Sequence, residues 1–155
     1  FHQPHNTFGS KIYNSVLYTD SVYGTHFHKS FELWYCADGE ISACADGTDI
    51  ILRRGQYILV FPYISHSFDV KPPSKLWVAV FSGDYLPELE HTAQTFKPEI
   101  KPFFADDVTQ AYLSGTLMKH NRFPGETSDG KSDLIIKSGL YAAANAFMKN
   151  AAMCR

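Results

Sequence analysis

Between Gly24 and Gly39 the chain reads Thr-His-Phe-His-Lys-Ser-Phe-Glu-Leu-Trp-Tyr-Cys-Ala-Asp. The run Phe31 to Cys36 is rich in aromatic residues, has a turn signal behind it and reads as a buried strand. Strand side chains alternate between two faces, so an unbroken strand places His26, His28 and Glu32 on one face. Polar groups carried into a core need hydrogen-bond partners or a ligand. This stretch therefore predicts a buried β-strand whose polar groups are met either by hydrogen-bond partners or by a ligand.

The flanks supply the rest of a sheet. Residues 1–10 read as an irregular arm, and Lys11 to Tyr23 is β-rich, enough for one or two strands. Glu40 to Ala45 alternates, Asp46-Gly47 is a two-residue hairpin signal, and Thr48 to Leu52 returns. Arg53-Arg54-Gly55 turns the chain into the apolar run Tyr57 to Phe61. His66 to Val70 alternates again, so His66 shares an inward face with Phe68 and Val70. Pro72-Pro73 breaks the chain before a last buried strand, Leu76 to Phe81. About seven short strands with frequent turns argue a sandwich or barrel.

After Ser82 the pattern becomes helical. A short helix is expected over 84–95, and a second from Asp106 or Asp107 to about His120. Its expected apolar stripe is Val108, Ala111, Tyr112, Gly115 and Met118. Residues 121–130 read as a loop. Ser132 or Asp133 opens a last helix whose face includes Leu134, Tyr141, Ala144, Met148 and Ala151. The alanines at 142, 143, 144, 146, 151 and 152 would let a partner helix approach closely. A homodimer through Tyr141, Ala144, Phe147 and Met148 is the expectation. Strands first and helices second is a segregated order.

At 155 residues, one domain is expected, and 45% hydrophobic content is enough to build a core. The net charge is −2 with no basic cluster, which argues against nucleic-acid binding by these residues. Cys36, Cys44 and Cys154 have no framework spacing, and the two in strand-like runs, Cys36 and Cys44, read as small buried thiols, which suits a reducing, cytoplasmic compartment. No stretch reaches the ~18 apolar residues of a membrane span, and no signal peptide is visible. A start at Phe1 and an end within a helical pattern read as a piece of a longer protein.

The spacing from His26 to Gly39 resembles the first cupin motif, H-x-H-x3-E-x6-G. Gly55 to His66 resembles the second, G-x5-P-x-G-x2-H, with Phe61 in place of its proline and Tyr63 in place of its glycine. The phrases His-Phe-His-Lys-Ser-Phe-Glu-Leu, Phe-Pro-Tyr-x-x-His-Ser-Phe and Trp77-Val-Ala-Val-Phe-Ser resemble AraC-type transcription regulators more than cupin enzymes. The resemblance implies a mainly β fold, a cupin-like double-stranded β-helix (jelly roll) over 10–82, followed by a helix pair and dimerisation segment over 84–155. It implies a sensor for a small effector, a sugar being the family's best-known case. A helix-turn-helix DNA-binding half is expected downstream, absent from this sequence.

Within that frame His26, His28, Glu32, Trp34, His66 and Trp77 are the expected ligand-binding residues. No catalytic residue is expected. Three imidazoles and a carboxylate, His26, His28, Glu32 and His66, suit Zn or Ni better than Mg or Ca. AraC-type domains commonly use these positions without metal, so no cofactor is expected. The alternative is a metal-dependent cupin oxygenase or isomerase built on the same four residues. A stand-alone carbohydrate-binding cupin is the third reading. Phe61, Tyr63 and the lack of a further acid/base candidate weigh against an enzyme.

Overall fold

A computed structural model describes residues 12–26, 28–95, 97–119, 130–151 and 153–154. The expected arm, the loop after His120 and the histidines at 2, 5 and 120 fall outside them. The strands are β1 (Tyr13–Tyr18), β2 (Ser21–His26), β3 (Phe31–Asp38), β4 (Glu40–Ala45), β5 (Thr48–Arg53), β6 (Tyr57–Val60), β7 (His66–Val70), β8 (Lys75–Phe81), β9 (Lys97–Pro98) and β10 (Met153–Cys154). A 3-10 turn at Gly83–Tyr85 leads into α1 (Pro87–Thr95), followed by α2 (Asp107–Gly115) and α3 (Gly130–Asn150).

Two four-stranded antiparallel sheets face each other, ordered β1-β8-β3-β6 and β2-β7-β4-β5, with β9 and β10 a separate pair. Apart from the β4–β5 hairpin, which stays within the second sheet, sequential strands from β1 to β8 alternate between the sheets, as in a jelly roll, so the expected fold is observed. Turn chemistry fixes the hairpins. Asp46 and Gly47 both have positive φ between β4 and β5. Gly39, at φ +68°, turns β3 into β4 so closely that an added Cβ would collide with Ser74 Oγ.

The first sheet is covered on both faces. Its inner face, with Trp34, Ile58 and Val78, packs against Ile41, Leu52 and Phe68 of the second sheet. Its outer face, with Leu33, Leu59 and Phe81, packs against Leu89, Leu140 and Phe147 of the helices. The layers are therefore helices, sheet, sheet.

The helices form where expected but present other faces. Asp106 caps α2, accepting from the Thr109 N–H at 2.8 Å. Leu113 and Leu117 point inward, while Val108 is 82% exposed and Tyr112 45%. The expected stripe was out of phase because Leu113 and Leu117, not Tyr112, meet Ile136 and Leu140. On α3 the buried face is Ile136, Leu140, Ala143, Ala146 and Phe147. Leu134, Tyr141 and Met148, seven residues apart, are exposed.

Candidate functional site

The motif does not form one unbroken strand. β2 ends at His26, and β3 begins at Phe31. The chain crosses there from the second sheet to the first. His26 sits opposite His66 in the β2–β7 register, Glu32 is held between Val60 and Val80 in the first sheet, and His28 lies in the crossing itself. The same-face expectation is corrected in its geometry: the three residues meet because two sheets and their connection face one interior.

All four residues are buried, none more than 3% exposed. Their ligand-type atoms lie within 4.8 Å of one another. Glu32 Oε2 is 2.5 Å from His28 Nε2, 2.8 Å from His66 Nε2 and 3.8 Å from His26 Nε2. Each ring's other nitrogen faces a backbone carbonyl: His26 Nδ1 lies 2.8 Å from Gly24 O, His28 Nδ1 3.1 Å from Ser30 O, and His66 Nδ1 2.7 Å from Ile64 O. A carbonyl only accepts, so each Nδ1 carries hydrogen and each Nε2 points at the cluster centre. Trp34 Nε1–H donates to Glu32 Oε1 at 2.8 Å, fixing the second carboxylate oxygen.

Burial opposes the ionised form of Glu32, but the hydrogen-bonded rings of His28 and His66, with His26 close beside them, outweigh it and hold the carboxyl well below its ordinary range. Burial lowers the His66 value, but the hydrogen bond and charge of Glu32 and the Ile64 carbonyl raise it on balance above its ordinary value. Nearby, burial first, then Tyr23 and Glu32, pushes the Tyr18 phenol up to about 12.

The donor set fits a divalent transition metal. Three Nε2 atoms aim inward from rings already oriented by a carbonyl, and the carboxylate is oriented by Trp34, which is how outer partners hold metal ligands. An ion bound there would be held by His26, His28, Glu32 and His66 and would supply positive charge to the cluster. His26 also lines a surface depression of about 330 Å³ with Val22, Tyr23, Gly24 and Thr25.

The other expected residues divide. Trp34 is in the interior, beside His66 at a ring separation of 5.9 Å. Trp77 is buried on the opposite face of the first sheet, among the residues that meet the helices. It is separated from the cluster by that sheet, because the pleat sends residue 77 outward where 76 and 78 go inward. Phe147 packs on Phe61 and Phe103 at ring separations of 5.5 and 5.9 Å, so it serves the chain's own core. Tyr141, Ala144 and Met148 instead line an open apolar groove of about 250 Å³ with Leu86 and Leu89.

Sequence reasoning missed two features. The hydrogen bond of Trp34 to Glu32 was legible in principle, since the two are two apart on one strand face. The role of Tyr63 had no signal beyond its replacing a motif glycine. Its φ is +65°, and its N–H donates to the His28 carbonyl at 2.8 Å. The left-handed conformation the glycine would supply is kept with tyrosine in it.

Residues 12–143 match the family described as AraC-like ligand binding domain. No curated protein matches the chain. Among solved structures, the AraC-like transcriptional activator CuxR is 9% identical, with 80% of this chain aligned, 44% of its own, and a TM-score of 0.58. ToxT from Vibrio cholerae is 10% identical, with 92% of this chain, 57% of its own, and a TM-score of 0.57. An RmlC-like cupin from Shewanella frigidimarina is 20% identical over 46% of this chain and 65% of its own, with a TM-score of 0.40. The chain thus spans about half the length of the two regulators, whose likeness shows a common fold. Among the described residues no helix is long and apolar enough to cross a membrane.

Proposed function

The chain belongs to the AraC-like ligand binding domain family, and from that premise we propose that it is the effector-sensing and dimerisation half of an AraC-type bacterial transcription regulator. The observation that carries this is the extent of the family match, which runs through the jelly roll and most of α3. The description of CuxR as a transcriptional activator supports it. In this reading the effector is a small molecule recognised in the jelly roll. DNA is contacted by a helix-turn-helix unit outside this sequence, and the protein works in the cytoplasm.

Dimerisation would use the exposed side of α3. A helix of 21 residues is about 32 Å long, enough for an antiparallel pair. Leu134, Tyr141 and Met148 provide its apolar stripe, with Ala144 allowing close approach. Effector binding would then shift the population between dimer arrangements that bind it unequally.

The test is the coding sequence after Arg155 together with the behaviour of the protein. A basic region with helix-turn-helix patterns and an effector-dependent change in DNA binding support the reading. A protein with no such region and no DNA-dependent activity overturns it. The convergence of His26, His28, Glu32 and His66 favours a second reading, a metal-dependent cupin oxygenase or isomerase. Metal-dependent turnover of a small substrate is the result that would put it first.

A further inference from the structure

We propose that the groove between α1 and α3 is a small-molecule site separate from the jelly-roll interior, and that it takes a primary amine carried on a short apolar chain. The proposal goes beyond the sensor reading and does not depend on it.

The groove follows from side-chain size. α3 lays Ile136, Leu140 and Phe147 into the core on the first sheet, but beside Leu86 and Leu89 it presents Ala143 and Ala144. Two methyl groups do not fill the space. A narrow gap that does not admit water remains between Leu33, Leu59 and Phe81 of the sheet and the leucines of the helix side. The open groove shares Leu86, Leu89 and Ala144 with this gap, so it is the outer end of one apolar slot. A dry apolar void lacks contact partners, and an apolar guest supplies them. Met148, 46% exposed, lines the groove with an unbranched side chain that rearranges readily around a guest.

Size bounds the guest. The groove holds about 250 Å³, below the roughly 300–1,000 Å³ of sites for drug-sized ligands. At about 30 Å³ for each water-sized group, that is room for about eight such groups.

The mouth selects the head group. The Tyr141 hydroxyl lies 3.1 Å from Glu88 Oε1, and an ionised carboxylate only accepts, so Tyr141 donates. Thr92 Oγ1 donates to the Glu88 carbonyl at 3.1 Å for the same reason. With both protons committed, the two hydroxyls and the carboxylate offer only lone pairs to a guest. Asn145, the remaining polar residue of the lining, accepts as well as donates. No lysine or arginine lines the groove, and the lysine and arginine ion pairs among the described residues go to Glu40, Asp46 and Asp69 instead. An ammonium group brings three donors and a positive charge to this rim, and the Tyr141 ring attracts the same charge. A carboxylate head meets Glu88 as a like charge, and a neutral hydroxyl brings one donor.

The experiment titrates the 155-residue chain with n-hexylamine and follows backbone amide shifts, with hexanol and hexanoate as neutral and anionic controls. The expected result is saturable hexylamine binding at about 1 mM or tighter, with shifts at Leu86, Glu88, Leu89, Tyr141 and Ala144. Hexanol binds more weakly and hexanoate weakest. Ala144→Leu fills the groove and abolishes binding. Glu88→Gln, on an exposed side chain, weakens hexylamine about 3–5-fold and leaves hexanol unchanged. The same titration on Leu134→Glu, which disturbs the exposed stripe of α3 without lining the groove, separates failure to bind from capping by a second copy. No binding to either chain overturns the proposal. Binding to Leu134→Glu but not to the wild type assigns the groove to a second copy and also overturns it. So do equal affinities for the three probes, affinity unchanged in both Ala144→Leu and Glu88→Gln, or shifts confined to the jelly roll around His26 and His66.

Discussion

Glu32 and His66 come from opposite sheets of the sandwich, yet Glu32 Oε2 lies 2.8 Å from His66 Nε2 with both side chains buried. With the longer approach of His26 to the same oxygen, this contact ties together two layers that pack elsewhere through apolar side chains such as Trp34, Ile58, Ile41 and Leu52.

The first prediction concerns pH in the metal-free protein. The folded value of Glu32 is below its unfolded 4.5, so its contribution is present above pH 4.5 and is lost as pH falls toward the folded value. The folded value of His66 is above its unfolded 6.5, so its contribution is complete below pH 6.5 and is lost as pH rises through the folded value. Thermal melts in chelator should peak between these two values and fall on both sides. Glu32→Gln should flatten the profile. A melting temperature that keeps rising from pH 6.5 to 9 contradicts this assignment.

Trp34→Phe should destabilise the metal-free fold by about 1–3 kcal/mol, because Glu32 Oε1 loses its donor in a buried site. Urea titration measures it. A cost near zero would mean that Glu32 finds another donor.

Gly39→Ala should cost more than about 1–2 kcal/mol, the usual strain of a left-handed residue, since Ser74 also blocks the new methyl group. Tyr63→Gly should go the other way. It relieves similar strain at a residue 63% exposed, against about 0.5–1 kcal/mol of extra chain entropy. Denaturant midpoints should move in opposite directions for the two variants.

The surface and core roles on α3 separate by mutation. Met148→Glu should weaken self-association in sedimentation while leaving monomer stability within about 0.5 kcal/mol. Phe147→Ala should destabilise the fold itself by about 3–5 kcal/mol, because its ring packs on Phe61 and Phe103. If the wild-type chain sediments as a monomer at hundreds of micromolar, the proposed dimer face is wrong.

Much of the architecture was legible because short-range rules governed it. Asp46-Gly47 and Gly39 named their turns, and the alternation of His66 to Val70 gave its inward face correctly. The site residues were legible through spacing, but their geometry was not. Counting by two from His26 assumes one strand, and the sheet crossing at His28 follows from long-range pairing that no local pattern encodes. Trp77 was misplaced for a related reason: the first sheet is apolar on both faces, so hydrophobicity alone does not say which core a residue joins. The stripe of α2 failed because it was chosen from the helix alone, whereas its buried side is set by Ile136 and Leu140 far along the chain.

The first sheet is a partition one residue thick. Glu32 faces the histidines, and Leu33, joined to it by a single peptide bond, borders a small gap with Leu86, Leu89 and Leu140 on the helix side. A push that moves the Glu32 backbone reaches the helices through covalent geometry, with no relay of packed side chains between the two compartments. Such a link resists interruption by substitution along its length, because it has almost no length. What remains adjustable is its output: the fit of Leu33 against α1 and α3 sets how much of a change at the cluster the outer surface registers.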